Sequence, residues 1–207
     1  SVTFTNAGAP LNTYAGGYVT WTGNKGHVVR IPVVIRPVLF SAPATVSGSY
    51  SVKFGYTGAF TASARGLVPA TTFAGEVVTG DYQLYPVTIP ANTTYARFSL
   101  FDADTTPGSD LDLVVYNSAF SPIGSSGGGT SDEEVNLVNP AAGTYYVLVD
   151  GYATADPSST FTLYTWVLGN TAAGNMTVTA PASATIGTVG AIGLTFSGLT
   201  PGVRYLG

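Results

Sequence analysis

The sequence contains no cysteine and a single histidine, His27, among its 207 residues. Without cysteine there is no disulfide framework, no thiolate metal site and no thiol nucleophile. One imidazole does not favour zinc, whose sites usually draw on several His or Cys ligands. A Ser-His-Asp triad would also depend on His27, although Gly129-Thr130-Ser131 supplies a candidate nucleophilic serine. We therefore predict no catalytic residues in this chain.

Charged residues are scarce, at 9% of the chain, and they are unevenly distributed. Residues 1–97 carry six basic and two acidic side chains, whereas residues 98–203 carry nine acidic and no basic ones. More than a hundred residues without Lys or Arg disfavour nucleic-acid binding. No apolar run is long enough to span a membrane. The N-terminal residues lack the basic and apolar regions of a signal peptide, so we expect any export signal to lie outside this sequence.

Short runs of β-branched and aromatic residues, bounded by Gly, Pro, Asn and Asp, recur along the whole chain. This pattern predicts an all-β fold, built as antiparallel β-sandwich or jelly-roll modules in tandem. Residues 18–21 and 27–35 are predicted to form a hairpin around Gly23-Asn24-Lys25-Gly26. Eight further strands are predicted at residues 51–56, 60–65, 84–89, 96–101, 111–116, 134–138, 144–149 and 161–167.

Four aspartates within eleven residues, Asp102, Asp104, Asp110 and Asp112, are the most informative polar cluster. Calcium takes six to eight oxygen ligands, commonly loop carboxylates and backbone carbonyls, so these residues are a candidate calcium site. In the alternative interpretation Asp104 and Asp110 are turn or capping residues and Asp112 is solvated on a strand. A glycosidase acid and base pair is a weaker alternative, since no substrate groove can be read from the sequence.

Six aromatic residues crowd into the last part of this region: Tyr145, Tyr146, Tyr152, Phe161, Tyr164 and Trp166. Core packing explains most of them. Those on an outer sheet face would be available to stack on sugar rings or to pack against a fibrous protein.

Three stretches carry resemblances to known families. Gly17-Tyr-Val-Thr-Trp-Thr22 with His27-Val-Val-Arg-Ile-Pro-Val-Val34 resembles the end of the fibronectin type III-like domain that follows the catalytic domain of many subtilisin-like proteases. The motifs at residues 96–102, 110–116 (Asp-Leu-Asp-Leu-Val-Val-Tyr) and 139–147 (Asn-Pro-Ala-Ala-Gly-Thr-Tyr-Tyr-Val) together resemble the bacterial pre-peptidase C-terminal domain. The tail from Met176 is similar to the start of an Ig-like module. We accordingly predict segments 1–43, 44–172 and 173–207.

These resemblances imply a secreted, extracellular bacterial protein whose upstream partner is the catalytic domain of a subtilisin-like serine endopeptidase. The chain would be its non-catalytic accessory region and would assist binding of an insoluble, fibrous protein substrate, folding or secretion. Related collagenase domains imply calcium binding. The alternatives are a stand-alone cell-surface or adhesion Ig-like protein and a carbohydrate-binding module.

Overall fold

The structure, a computed structural model, describes residues 4, 6–41, 48–155 and 157–207. It is built almost entirely of antiparallel strands, which confirms the predicted all-β class. The chain divides into two compact units, one of residues 1–64 with 177–196 and one of residues 65–176 with 197–207. A 3-10 turn covers Asp102–Asp104. In the part of the chain that the structure describes, no helix is long and apolar enough to cross a membrane.

The strands are, in chain order, β1 Ala15–Thr22, β2 Val28–Ile35, β3 Phe40–Ser41, β4 Ser49–Phe54, β5 Gly58–Ala59, β6 Val68–Pro69, β7 Thr71–Val77, β8 Tyr82–Ile89, β9 Tyr95–Leu100, β10 Asp110–Tyr116, β11 Pro122–Ser126, β12 Glu133–Val138, β13 Gly143–Ala153, β14 Ser159–Leu168, β15 Met176–Thr179, β16 Ser183–Ala184, β17 Val189–Phe196 and β18 Tyr205–Leu206.

The first unit contains the predicted hairpin. Strands β1 and β2 pair from Ala15 opposite Ile35 to Thr22 opposite Val28. The turn between them is closed by the Gly26 N–H donating to the Gly23 carbonyl at 3.0 Å, with Gly26 at φ 79°. The unit also holds a sheet of order β15-β17-β4-β3 around a small core of Val52, Phe54, Ala184 and Ile192.

The second unit is a β-sandwich of two four-stranded antiparallel sheets, of order β11-β10-β13-β8 and β12-β9-β14-β7. Along β10 every second side chain points inward, so that Leu111, Leu113 and Val115 are fully buried. Val147 and Val149 of β13 and Phe98 of β9 join them in one core. The strand period of two therefore places the intervening residues of β10 and β13 on the outer face of their sheet.

Seven of the eight predicted sandwich strands correspond to observed ones, and the prediction for residues 60–65 is wrong. Phe60 in that segment packs its ring edge-on against Phe54 at 5.1 Å, so its hydrophobicity reflects packing and not strand pairing. The prediction missed β7, whose sequence contains Gly75, and β11, whose sequence is poor in β-branched residues.

The two units divide the chain differently from the predicted segments. Strands β16, β17 and β18 of the tail pair with β5, β4 and β6, which all lie outside residues 173–207. The predicted boundary between residues 43 and 44 lies outside the described residues. The assignment of the outer segments to fibronectin type III-like and Ig-like modules stays a prediction.

Candidate functional site

The four aspartates predicted as calcium ligands lie close in sequence but have three different environments. Asp102 joins the 3-10 turn to the loop before β12. Its Oδ1 accepts the Ser131 N–H at 2.7 Å, while its own N–H donates to Asp132 Oδ1 at 2.8 Å. These reciprocal bonds hold two loops together, a structural role that neither interpretation of the cluster predicted for Asp102.

Asp104 is committed to an arginine from the end of the chain. Its Oδ2 accepts from Arg204 Nη2 at 2.8 Å and from the Tyr164 hydroxyl at 2.9 Å. The Arg204 guanidinium also lies 3.9 Å from the centre of the Phe101 ring. The hydrogen bond from Arg204 lowers the pKa of Asp104, although partial burial opposes this shift. This carboxylate is therefore already neutralised by a protein cation.

We expect Arg204→Met to lower the free energy of unfolding by about 1 kcal/mol at pH 7, because the ion pair is partly exposed and screened by solvent. The pKa of Asp104 is lowered in the folded state, so this stabilisation is present above the ordinary pKa of about 3.9 and is lost as the pH falls through the folded value. Urea midpoints from pH 7 to pH 3 should therefore converge for the wild type and the variant. A double-mutant cycle with Asp104→Asn checks the pairing, and additive losses would contradict it.

Asp110 and Asp112 begin β10 and point outward from the sandwich. Asp110 Oδ1 and Asp112 Oδ1 are both buried, and neither has a hydrogen-bond partner within the described ranges. Asp112 lies directly opposite Asp150 of β13. Burial raises the pKa of Asp112, and the charges of Asp110, Glu133 and Asp150 raise it further. Glu133 is itself 4% exposed and accepts a hydrogen bond from the Ser126 hydroxyl.

The four predicted ligands differ in their partners, and calcium binding by them stays a prediction. Asp102 and Asp104 each use one carboxylate oxygen in protein contacts, whereas Asp110 and Asp112 each retain a buried oxygen without a hydrogen-bond partner in the described part of the chain. Within residues 4, 6–41, 48–155 and 157–207, no group of three or more His, Asp or Glu side chains is arranged to hold a metal ion.

Ser131, the candidate nucleophilic serine of Gly129-Thr130-Ser131, is fully buried. Its hydroxyl accepts the Leu111 N–H at 3.1 Å and donates to the Ser109 carbonyl at 3.0 Å. The serine therefore ties the start of β10 to the loop before β12. His27 lies exposed in the turn between β1 and β2, a hairpin of the other unit.

Ser131→Ala should destabilise the second unit by about 1–3 kcal/mol, because the Leu111 N–H would stay buried without an acceptor. The measurement is the thermal unfolding midpoint. Ser118→Ala, at an exposed position in the β10–β11 turn, is the matched control. Equal midpoints for the two variants would contradict the structural role of the hydroxyl.

The structure separates the six clustered aromatic residues. Tyr145, Phe161 and Trp166 are buried, and half-buried Tyr164 contacts Asp104. Tyr146 lies on the outer face of its sheet, and Tyr152, 65% exposed, follows further along the same strand. Core packing therefore accounts for Tyr145 and Phe161, whereas Trp166 is buried outside that cluster, beside Tyr164.

Sequence reasoning missed a larger apolar surface around Tyr146. Cross-strand pairing places Tyr116, Tyr146 and Pro86 in one row across three strands. The next row contains Val114, Leu148 and Leu84. We call these six residues the outer apolar face. The sequence does indicate this face, because β10 and β13 have apolar residues at outward-facing as well as inward-facing positions.

Phe120 lies at one end of this face and has an unusual backbone. Its φ is 57°, in the left-handed region that bulky residues rarely occupy. The turn is held by Asn117 Oδ1, which accepts the N–H groups of Ala119 and Ser121, both at 3.0 Å. The Phe120 ring stacks on Tyr146 with centroids 4.4 Å apart and 16° between the planes. It remains 56% exposed.

Part of the sandwich matches a known protein family. Residues 81–151, from the turn before β8 into β13, match the family model of the bacterial pre-peptidase C-terminal domain. This confirms the resemblance predicted from the motifs within that segment. Pyrolysin of Pyrococcus furiosus is 26% identical over 166 residues, which cover 72% of this chain and 12% of Pyrolysin. The chain therefore spans only a small part of this relative.

Two solved structures are similar to this chain. The pre-peptidase C-terminal domain of a collagenase from Bacillus anthracis has a TM-score of 0.38 and 19% identity, and the likeness covers 47% of this chain and 90% of that one. PliG of Aeromonas hydrophila, a periplasmic inhibitor of g-type lysozyme, has a TM-score of 0.36 and 17% identity, covering 48% and 86%. Likenesses of this size carry no argument about function.

Proposed function

We propose that this chain is a non-catalytic C-terminal accessory region of a secreted, subtilisin-like serine protease, and that it attaches the enzyme to its polypeptide substrate. The observation that carries the proposal is the match of residues 81–151 to the pre-peptidase C-terminal domain. The partial match to Pyrolysin supports it. So does the resemblance of residues 17–34, in the β1–β2 hairpin, to the end of the domain that follows the catalytic domain of many subtilisin-like proteases. The exposed apolar surface on the same sandwich supports an attachment role over one in folding alone.

The test of this proposal has two parts. The gene sequence upstream of Ser1 should encode a catalytic domain with a Gly-Thr-Ser-Met-Ala-x-Pro element. The purified chain should co-sediment with insoluble collagen or keratin. It should stay in the supernatant when it is mixed with insoluble chitin or cellulose. An upstream region with repeats or a cell-wall anchor and no protease would overturn the proposal in favour of an adhesion protein. Retention by chitin or cellulose would instead favour a carbohydrate-binding module.

We also propose that calcium binds at Asp110 and Asp112, whose unpaired buried oxygens support a cation there. A ligand that binds only the folded state raises its stability, so millimolar Ca²⁺ should raise the thermal midpoint by a few degrees relative to EDTA. The double variant Asp110→Asn with Asp112→Asn should lose this response. In EDTA the double variant should have a higher thermal midpoint than the wild type. The raised pKa of Asp112 indicates that its negative charge destabilises the folded state, and the substitution removes this charge. An identical response to Ca²⁺ in both proteins would contradict the site.

A further inference from the structure

The two units of the chain differ in charge. The first unit, residues 1–64 with 177–196, contains four Lys or Arg side chains and no Asp or Glu, whereas the second contains three Arg and all eleven acidic residues. The two ion pairs within the described ranges both belong to the second unit. The cations of the first unit therefore have no carboxylate of their own unit to neutralise them, and such a surface attracts an anionic partner.

Two of these cations lie on one face of the β1–β2 hairpin, which we call the basic hairpin face. Alternation along the strands and the cross-strand register define its members as Tyr14, Gly16, Tyr18 and Thr20 with Arg30, Pro32, Val34 and Arg36. The opposite face of the hairpin includes Val19, Val33 and Ile35, which are half-buried and line a cavity together with Phe54 of β4. The basic hairpin face is therefore the one turned away from the rest of the first unit.

Tyrosine rings orient both arginines on this face. The Arg30 Cζ lies 3.9 Å from the centre of the Tyr18 ring, and the Arg36 Cζ lies 5.9 Å from the centre of the Tyr14 ring. A guanidinium beside an aromatic ring keeps its N–H groups free for a second partner, and its planar fork loses little freedom when it binds one. Each arginine is thus prepared to donate two parallel hydrogen bonds to a carboxylate.

Gly16 leaves an open floor between the two tyrosines. A Cβ built on Gly16 would meet no atom within 4 Å. Tyr14 and Tyr18 are four residues apart, about 13 Å at the rise of a β-strand, so a shallow trough lies between their side chains, with Val34 opposite Gly16. Arg30 covers one side of the Tyr18 ring, whereas Tyr14 is 72% exposed. Tyr14 is therefore the aromatic surface that is open to a ligand in the trough.

The spacing of the charges favours an acidic polysaccharide over other polyanions. Arg30 and Arg36 are six residues apart, about 20 Å, and no charged residue lies between them. A nucleic acid carries a phosphate about every 3.4 Å along each strand and is bound by a denser row of cations. A lipid surface takes up protruding apolar side chains, whereas the centre of this face is recessed at Gly16. Sugar rings have an apolar face that packs on an aromatic ring, and their hydroxyls can bond the hydroxyl of Thr20.

We propose that the basic hairpin face binds an acidic polysaccharide whose carboxylates are separated by uncharged sugars. Arg30 and Arg36 pair with two carboxylates of one polysaccharide chain, and a sugar between them lies over Gly16 against the Tyr14 ring. The inference goes beyond the proposed function and does not rest on it, because it assigns a ligand to the first unit and not to the sandwich.

The test is fluorescence anisotropy of the purified chain with a labelled hyaluronan octasaccharide, which carries a carboxylate on every second sugar. The buffer contains EDTA, so that calcium cannot bridge the ligand to the acidic residues of the second unit. We expect saturable binding that weakens with added salt, because both arginines are exposed. Neutral cellohexaose should not displace the labelled ligand, because it has no acidic group for the arginines.

The decisive variant is Gly16→Val, which fills the trough from a position that has space for a side chain. Valine favours strands over glycine, so the thermal midpoint from circular dichroism should stay unchanged or rise. The affinity for hyaluronan should fall about tenfold, or 1.4 kcal/mol. Gly17→Val is the matched control, because Gly17 points to the other face of β1 and a Cβ there also meets no atom within 4 Å. This control should leave the affinity unchanged.

A second pair of variants tests the charges. Arg30→Gln combined with Arg36→Gln should lower the affinity at least about tenfold, because both carboxylate partners are lost. Lys53→Gln removes a cation of the same unit from β4, outside the hairpin, and should leave the affinity unchanged.

Three results would overturn the inference: no saturable binding of hyaluronan, equal losses in Gly16→Val and Gly17→Val, or equal losses in Lys53→Gln and the double arginine variant. Tighter binding to phosphatidylglycerol vesicles or to a single-stranded oligonucleotide, unaffected by Gly16→Val, would also overturn it, since a general attraction of polyanions does not need the trough. The proposed function is tested separately, on the upstream sequence and on protein fibres, so either can fail alone.

Discussion

Phe98→Ala should lower the free energy of unfolding of the second unit by about 3–5 kcal/mol, the range measured for phenylalanine truncation in cores. Phe98 lies on β9 with no exposed surface, within the core that both sheets of the sandwich share. Removing the ring loses its transfer free energy and leaves a cavity that rigid flanking strands fill only partly. The loss is a large part of the stability of a domain of this size.

The measurement is urea unfolding followed by fluorescence of Trp166, in a Trp21→Phe background so that the signal comes from the sandwich alone. Two units need not unfold together, and this probe isolates the transition of interest. Phe120→Ala is the matched control, because it removes the same ring from a position that is 56% exposed. We expect it to cost less than about 1 kcal/mol. Similar losses at both positions would contradict the assignment of Phe98 to the core.

The inward and outward positions of the main strands could be predicted because they follow a local period of two. The Asp-Leu-Asp-Leu motif at residues 110–113 shows this directly, since Leu111 and Leu113 are fully buried while both aspartates point outward. The hairpin turn was predictable for the same reason, because Gly26 supplies a positive φ within a four-residue signal.

The partners of the aspartates could not be predicted, because they depend on contacts between distant parts of the chain. Asp104 is separated from Arg204 by 100 residues, and nothing near Asp104 in the sequence marks it as an ion-pair residue. The like charge of Asp150 opposite Asp112 is a result of strand register. A cluster defined by sequence spacing therefore divides, in the fold, into a loop bridge, an ion pair and an unpaired acidic end.

The outer apolar face shows a similar limit. Its residues are visible in the sequence as apolar positions on both phases of β10 and β13, which is also the pattern of a strand buried on both sides. The sheet order distinguishes the two cases, because among the described residues the sandwich core lies between the two sheets and does not include the outer apolar face. Phe120 stands in a turn, where sequence patterns give an aromatic residue no special meaning.

Gly75→Ala should destabilise the sandwich by about 3 kcal/mol, at the upper end of the cost of overpacking. Gly75 lies in β7 opposite Phe161, where the side chain of Tyr85 crosses the strand. A Cβ built on Gly75 would overlap the Tyr85 hydroxyl and the Phe161 ring, and it would lie 2.8 Å from Gln83 Oε1. Because Tyr85 Oη donates to that oxygen at 2.5 Å, the added methyl cannot be accommodated without breaking this bond or moving β7.

Gly129→Ala is the control for this substitution, because a Cβ there meets no atom within 4 Å and the backbone needs no positive φ. We expect it to change stability by less than about 0.5 kcal/mol. The measurement is again the urea transition reported by Trp166. An unchanged urea midpoint for Gly75→Ala, or equal losses of stability in the two glycine variants, would contradict the close packing at Gly75.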